Sequence, residues 1–314
     1  MKSGDDLLSS FDRSWKEFSE AWKKARSKTS EKSIHDLRVK TRRFIAVLEL
    51  ANALPGQDGV AGLQRRLKKV LKRMGPLRDL QVQLENVSQI PQAAAISDFK
   101  NRLERRERQE IKRIPDELKR GTKLRLAKNV KHVLSGLDDA GRPENGRILH
   151  SVERVIAARR NEFLRAERRF QREQPVNEEA LHDMRIALKK MRYVVEAASP
   201  VLGPSAKQRA RQMRMFQKLM GDSRDLEMLR AELEKWAKKK GRKIAIVPAL
   251  ERLEEKRQGL IRKIVTSAPR FDKLFGTERA KPVAETTRAV DARVPASTSS
   301  RPESGERPAP RLKR

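Results

Sequence analysis

One ten-residue stretch occurs twice in this chain. Residues 34–43 read I-H-D-L-R-V-K-T-R-R and residues 181–190 read L-H-D-M-R-I-A-L-K-K. At a constant offset of 147 this aligns His35 with His182, Asp36 with Asp183, Arg38 with Arg185, Arg42 with Lys189 and Arg43 with Lys190. A second shared stretch follows each copy: Met74-Gly75-Pro-Leu-Arg78-Asp79-Leu80 matches Met220-Gly221-Asp-Ser-Arg224-Asp225-Leu226 at an offset of 146. Two motifs in the same order at nearly the same spacing indicate a duplicated module. The chain therefore reads as a tandem of two half-domains, each offering a histidine beside a row of fixed positive charges. The halves are expected at 1–142 and 143–275, with a tail at 276–314.

The charge balance says what such rows can meet. There are 74 Lys and Arg against 42 Asp and Glu among 314 residues, a formal net charge of +32. Charged residues make up 37% of the chain, against about 25% in an average globular protein. A surplus of that size repels itself in the folded state and attracts polyanions: nucleic acid, polymeric phosphate or an anionic membrane surface. Cysteine is absent, which removes disulfides and thiolate metal sites. No apolar run approaches the roughly 18 residues of a membrane span, and the N-terminus has no signal-peptide apolar block. A cytoplasmic protein is expected, without membrane attachment.

Apolar spacing is helical throughout, with no period-2 segment of useful length, so the fold class is all-α. Leu7, Leu8, Phe11, Trp15, Phe18, Trp22 and Ala25 form one stripe over 5–28, and both tryptophans read as core. The next helix, 31–53, has Ser30 as N-cap, matched by Asn177 before the helix at 178–198. His35, Arg38 and Arg42 lie beside its apolar stripe at i, i+3 and i+7, as His182, Arg185 and Lys189 do in the second copy, so these rows border the core. A helix at 58–74 carries Arg65, Lys68 and Lys72, matched by Arg211, Arg214 and Lys218, without acidic partners at i+4. Leu54-Pro55-Gly56 and Pro200 with Gly203-Pro204 terminate the motif helices. Gly75 and Gly221 read as C-caps, Pro76 and Ser223 as starts of the next helices. Arg78 and Arg224 would then stand at helix starts, beside free N–H groups that can hold anions. A hairpin of 92–113 and 116–137, punctuated by Pro91 and Pro115, precedes a turn-rich boundary at 138–146. Helices at 146–172, 205–220, 223–240 and 247–265 complete the second half. From Gly276 the composition turns to Pro, Ala, Ser, Thr, Arg and Glu, which cannot bury enough surface to order itself.

At the quoted residues the chain resembles the CHAD domain, the conserved histidine α-helical domain, over roughly residues 5–275. The resemblance rests on both H-D-x-R-x-x-x-[RK]-[RK] stretches, both G-x-x-R-D-L stretches, and their order. It implies two four-helix-bundle-like halves related by a pseudo-twofold, with a basic surface or cavity between them. It also implies binding of inorganic polyphosphate, in some members at polyphosphate granules. His35, Arg38, Arg42, His182, Arg185 and Lys189 would line that site, with Arg43, Lys190, Arg78 and Arg224 beside them. The rows at 65, 68, 72 and at 211, 214, 218 would form its second wall. Members are often fused to a CYTH domain, but no E-x-E-x-K motif or strand-rich region occurs here, so a stand-alone CHAD protein is expected.

The residue chemistry agrees with such a ligand. Polyphosphate has no bases to read; it needs many cationic donors, Arg as a planar fork and Lys as a point charge. Histidine donates more when protonated, and a nearby phosphate favours that form. Two of the four histidines occupy equivalent repeat positions, whereas His132 and His150 have no matched copy and no assigned role. Asp36, Asp79, Asp183 and Asp225 cannot ligate phosphate and are assigned to holding guanidinium groups or helix N-termini. A nucleic-acid-binding, chromosome-associated protein is the alternative; sparse aromatics and the lack of a reading motif argue against base recognition, leaving weak, salt-sensitive binding. A metal phosphohydrolase on the H-D dyads would need further ligands converging where Arg and Lys stand instead. The expectation is a non-catalytic binder without cofactor or metal. Its affinity should rise as pH falls through the histidine range, about 6.5 unperturbed.

Overall fold

The computed structural model describes residues 2–267 apart from 55–58, 92, 120–121, 140–144 and 174–176; side chains at 2–6, 119, 122–125, 136–139 and 145 are also outside the description. Ten α-helices and one 3-10 turn make up the regular structure among the described residues. They are α1 (Lys2–Ser27), α2 (Glu31–Ala51), α3 (Val60–Arg73), α4 (Gly75–Val87), α5 (Ala94–Lys119) and α6 (Thr122–Asp139). After them come α7 (Asn145–Arg172), α8 (Glu178–Leu202), α9 (Pro204–Lys240), the 3-10 turn Ile244–Ile246 and α10 (Val247–Ser267). The all-α reading holds. The boundary expected at 142/143 and the tail at 276–314 lie outside the described residues, as do Pro55 and Gly56.

Local chemistry explains where the motif helices start. Ser30 caps α2 through a reciprocal box with Ser33, and the Asn177 side chain accepts from the backbone of Glu179 and Ala180 to cap α8. The stop signals behave differently from expectation. Pro200 lies inside α8. Its missing N–H would orphan the Glu196 carbonyl, and the Ser199 hydroxyl donates to that carbonyl at 2.9 Å instead. Gly203 then ends the helix at φ 80. Pro115 lies inside α5, because Ile114 and Leu118 are buried on either side of it and anchor the last turn across the lost hydrogen bond.

The second shared stretch folds differently in its two copies. In the first, Pro76 sits at the start of α4 and the chain changes helix at Met74. In the second, α9 runs unbroken through Gly221 and Ser223. Asp222 replaces the proline, so the hydrogen-bond ladder continues. Met213, Met220, Ser223, Leu226, Leu229 and Leu233 carry one buried stripe across the glycine. Neither glycine is a C-cap: Gly75 opens α4 and Gly221 is a helix-interior residue.

Three cores hold the helices, and each takes residues from more than one part of the chain. Phe11, Phe18, Trp22 and Phe44 form an aromatic nest (ring centroids 5.4–5.9 Å) completed by Tyr193, Val194 and Ala198 of α8. Trp22 is fully buried and Trp15 packs against this core. A methionine-rich core joins α7, α8 and α9 with Ile264 of α10. In the third, Leu80 of α4 and Phe99 of α5 meet Leu229 and Trp236 of α9 and Leu253 of α10. The motif helices α2 and α8 pack directly on each other, which brings the two repeated rows face to face.

Candidate functional site

Arg38 of α2 is held by α3, donating from Nη1 to the Leu71 carbonyl at 3.0 Å. It lies near Arg42, Asp79, Arg78 and Tyr193. Across the interface Lys189 of α8 has Arg42, Arg185, Arg38 and Lys190 around it. Arg42 therefore meets its own repeat equivalent, Lys189, while Arg38 meets Tyr193 one turn further on. That arrangement concentrates four cations, Arg38, Arg42, Arg185 and Lys189, on one half-buried spot.

Two flanks extend this cluster. On one side His35 lies near Arg78, Asp36, Arg42 and Arg38. On the other His182 lies near Arg185, Arg224, Asp183 and Lys189. The Arg-Asp pairs of the second motif lie near each other, since Asp225 of α9 faces Arg185, Asp222, Arg78 and Asp79. Arg78 also donates to Glu31 at 2.8 Å, tying the start of α4 to the start of α2.

The field in this cluster is strongly cationic. Burial, and then Arg42, Arg185 and Arg38, push the Lys189 ammonium down to about 7. Burial and the neighbouring Arg42 bring the Arg38 guanidinium down to about 10, with Asp79 opposing. Arg185 is lowered by burial against the pull of Asp225, with Arg224 and Arg42 adding to the decrease. Burial lowers both histidines, assisted by Arg78 at His35 and by Arg185 at His182. Asp225 is raised by burial to about 6 despite Arg185. Nδ1 of His182 and Nε of Arg185 are buried with no hydrogen-bond partner among the described residues. Unpaired desolvated donors and crowded like charges cost free energy in the free protein. An oxyanion brought against this face would relieve the crowding of like charges.

The structure divides the residues expected here from sequence. His35, Arg38, Arg42, Arg78, His182, Arg185, Lys189 and Arg224 come together. Arg43 and Lys190 turn away, to Glu196 (3.9 Å) and Glu162 (2.6 Å). Arg211 and Arg214 line a separate cavity with Arg43, and Arg214 is 3.0 Å from Glu196. Lys218 does have an acidic partner one turn on, Asp222 at 2.6 Å, which corrects the expected absence of i+4 carboxylates. Arg65, Lys68 and Lys72 are exposed on α3 and form no ion pair among the described residues. Arg224 pairs with Glu227 inside the continuous α9, so the helix start expected beside it does not exist. Arg78 is in the first turn of α4, with its own N–H bonded to the Met74 carbonyl at 3.3 Å. Of the four aspartates, Asp183 clamps Arg169 at 2.8 Å, while Asp79 and Asp225 face Arg38 and Arg185. Tyr193 and Glu196 escaped the sequence reading, although Glu49 and Glu196 continue the repeat at the same offset of 147.

The CHAD domain family model matches residues 10–234. The chain belongs to the CHAD domain family. Solved structures share its fold, two of them as follows. The CHAD domain from the plant Ricinus communis superposes with a TM-score of 0.64 at 15% identity, covering 89% of this chain and 93% of the other. PptA from Streptomyces chartreusis superposes with a TM-score of 0.57 at 16% identity, covering 88% and 99%. None of the curated proteins matches. In this CHAD chain no described helix is long and apolar enough to cross a membrane.

Proposed function

We propose that this CHAD chain is a non-catalytic binder of inorganic polyphosphate, held on the cationic cluster between α2 and α8. The observation that carries the reading is the meeting of Arg38 and Arg42 with their repeat equivalents Arg185 and Lys189 on a partly desolvated face. A linear polyanion satisfies such a face better than a duplex does. Its phosphates are small and unbranched and can enter a crowded crossing between helices, where Arg forks grip two oxygens at once. Attachment to polyphosphate granules would follow from that binding alone. Purely electrostatic contact with DNA or RNA would use the exposed arginines outside the cluster and be weak and salt-sensitive.

The test is a competition at physiological salt between labelled polyphosphate and unlabelled polyphosphate or DNA at equal phosphate concentration. Polyphosphate should compete better by at least about a hundredfold, that is about 2.8 kcal/mol. The double substitution Arg38→Ala and Arg185→Ala should remove that advantage, whereas removing two tail arginines should not. Equal competition by DNA, unchanged in the double variant, would replace this reading with a generic cationic surface that includes nucleic acid among its partners.

A further inference from the structure

The cavity of about 320 Å³ between α1, α2, α8 and α9 lies outside the cluster. Its origin is visible by comparing the two repeats. The α2 and α8 positions correspond at the offset of 147, so Arg43 matches Lys190 and Glu49 matches Glu196. The first helices of the halves register on their buried residues, Leu7 with Val152, Phe18 with Phe163 and Ala25 with Phe170, an offset of 145. By that register Glu17 matches Glu162 and Ser14 matches Arg159.

In one copy these positions close into a balanced chain of charges. Arg159 of α7 pairs with Glu49 at 2.5 Å and with Glu162, and Glu162 takes Lys190 at 2.6 Å. In the other copy the bridging arginine is Ser14, and the chain is open. Glu17 is taken instead by Lys40 at 2.6 Å. Glu196 draws Arg192, Arg214 and, at 3.9 Å, Arg43. Arg13, Lys207 and Arg211 stand at the same cavity without an ion pair among the described residues. Five cations and two carboxylates line it in all, a surplus of three positive charges.

We propose that this cavity is a second, separate anion site, which takes a short phosphoanhydride of the pyrophosphate or triphosphate class. Removing the buttressing arginine left room as well as unbalanced charge, and three charges of surplus suit a small multivalent anion. Arg192 and Arg214 both hold Oε1 of Glu196, and Arg43 comes within 3.9 Å of its Oε2, so guanidinium groups already gather around an oxyanion at this wall. Ser10, Ser14 and Ser199 add hydroxyl donors, and no aromatic side chain is present to stack a base, which disfavours nucleotides. The phosphate can be a free short chain or the end of a long one. The site does not depend on what the central cluster binds.

The decisive variant is Ser14→Arg, which restores the arginine that the other copy has at this position. It adds a positive charge and yet should abolish binding at the cavity, because the new guanidinium fills it and pairs with Glu196. Calorimetric titration of the full chain with inorganic triphosphate counts the sites. The cavity site should vanish in Ser14→Arg and weaken by about tenfold or more in Lys207→Ala with Arg211→Ala, two exposed positions that leave the cores intact. Arg42→Ala with Arg185→Ala should leave that site in place whether or not the central cluster binds polyphosphate. A parallel titration with long-chain polyphosphate tells the sources apart: only a chain end in the cavity makes its affinity fall in Ser14→Arg. Unchanged or tighter triphosphate binding in Ser14→Arg, with the Lys207 and Arg211 variant also like the parent, overturns the proposal.

Discussion

Lys189 is the residue on which the cost and the use of the cluster meet. Its ammonium is half-buried among three arginines, and its pKa falls from the ordinary 10.5 to about 7. The sign of the linkage follows. Between about 7 and 10.5 the unfolded chain keeps a proton that the folded chain releases, so this group makes stability rise with pH over that window. Each pH unit in which it titrates contributes about 1.4 kcal/mol. Lys189→Met keeps the aliphatic stem and removes the charge. It should raise Tm most at pH 7 and below, with the gain shrinking toward pH 10, as read from thermal melts of the variant and parent across that range. Ligand binding should act in the reverse direction, since phosphate restores the proton. Affinity should therefore fall as pH rises above 7, and calorimetry in buffers of different ionisation enthalpy should show proton uptake that Lys189→Met removes. The histidines alone had suggested a rise as pH falls near 6.5. Burial and neighbouring arginines lower both of them, so in the free protein their own contribution begins below that pH. A binding profile flat from pH 7 to 9 in the parent would contradict the role given to Lys189.

At the scale of the helix, what was legible and what was not separate along a physical line. Periodicity and caps found α1, α2, α7 and α8, because Ser30 and Asn177 act through neighbours three residues away at most. The repeats picked out the residues of the central cluster and the resemblance to the CHAD domain implied that they line one site; that they come together follows from the packing of α2 on α8. Breakers alone do not set the helix ends: whether a helix survives Pro115 or Gly221 depends on side chains buried on distant partners, such as Ile114 and Leu118 around the proline. The split between Arg42 and Arg43, one into the cluster and one toward Glu196, is likewise set by which neighbour lies on each side of α2. Gly221 allows a direct check. It is helical, and a Cβ added there would meet nothing within 4 Å. Gly221→Ala should stabilise the chain by about 0.5–1 kcal/mol through reduced unfolded-state entropy and better helix propensity, seen as a higher midpoint in denaturant. A lower midpoint would mean that α9 needs a flexible junction there.

For the whole molecule the formal charge of +32 sets two salt effects of opposite sign. Mutual repulsion among cations destabilises the folded chain, and added salt screens it. Tm of the free protein should therefore rise between about 50 mM and about 200 mM salt, while polyphosphate affinity falls over that interval as bound counterions cease to be released at a profit. The slope of that fall separates local from global attraction. Six guanidinium and ammonium groups gather at the cluster: Arg38, Arg42, Arg78, Arg185, Lys189 and Arg224. Six phosphate contacts at the single-strand coefficient give a slope of log affinity on log salt of about −4. Arg42→Ala with Arg185→Ala removes two of those contacts and should reduce the slope by about 1.4, a third of its value. The same substitutions change the net charge only from +32 to +30, so attraction to the total charge would leave the slope almost as it was. Salt titrations of polyphosphate binding to the two proteins measure this difference directly, and equal slopes would assign the affinity to the surface as a whole.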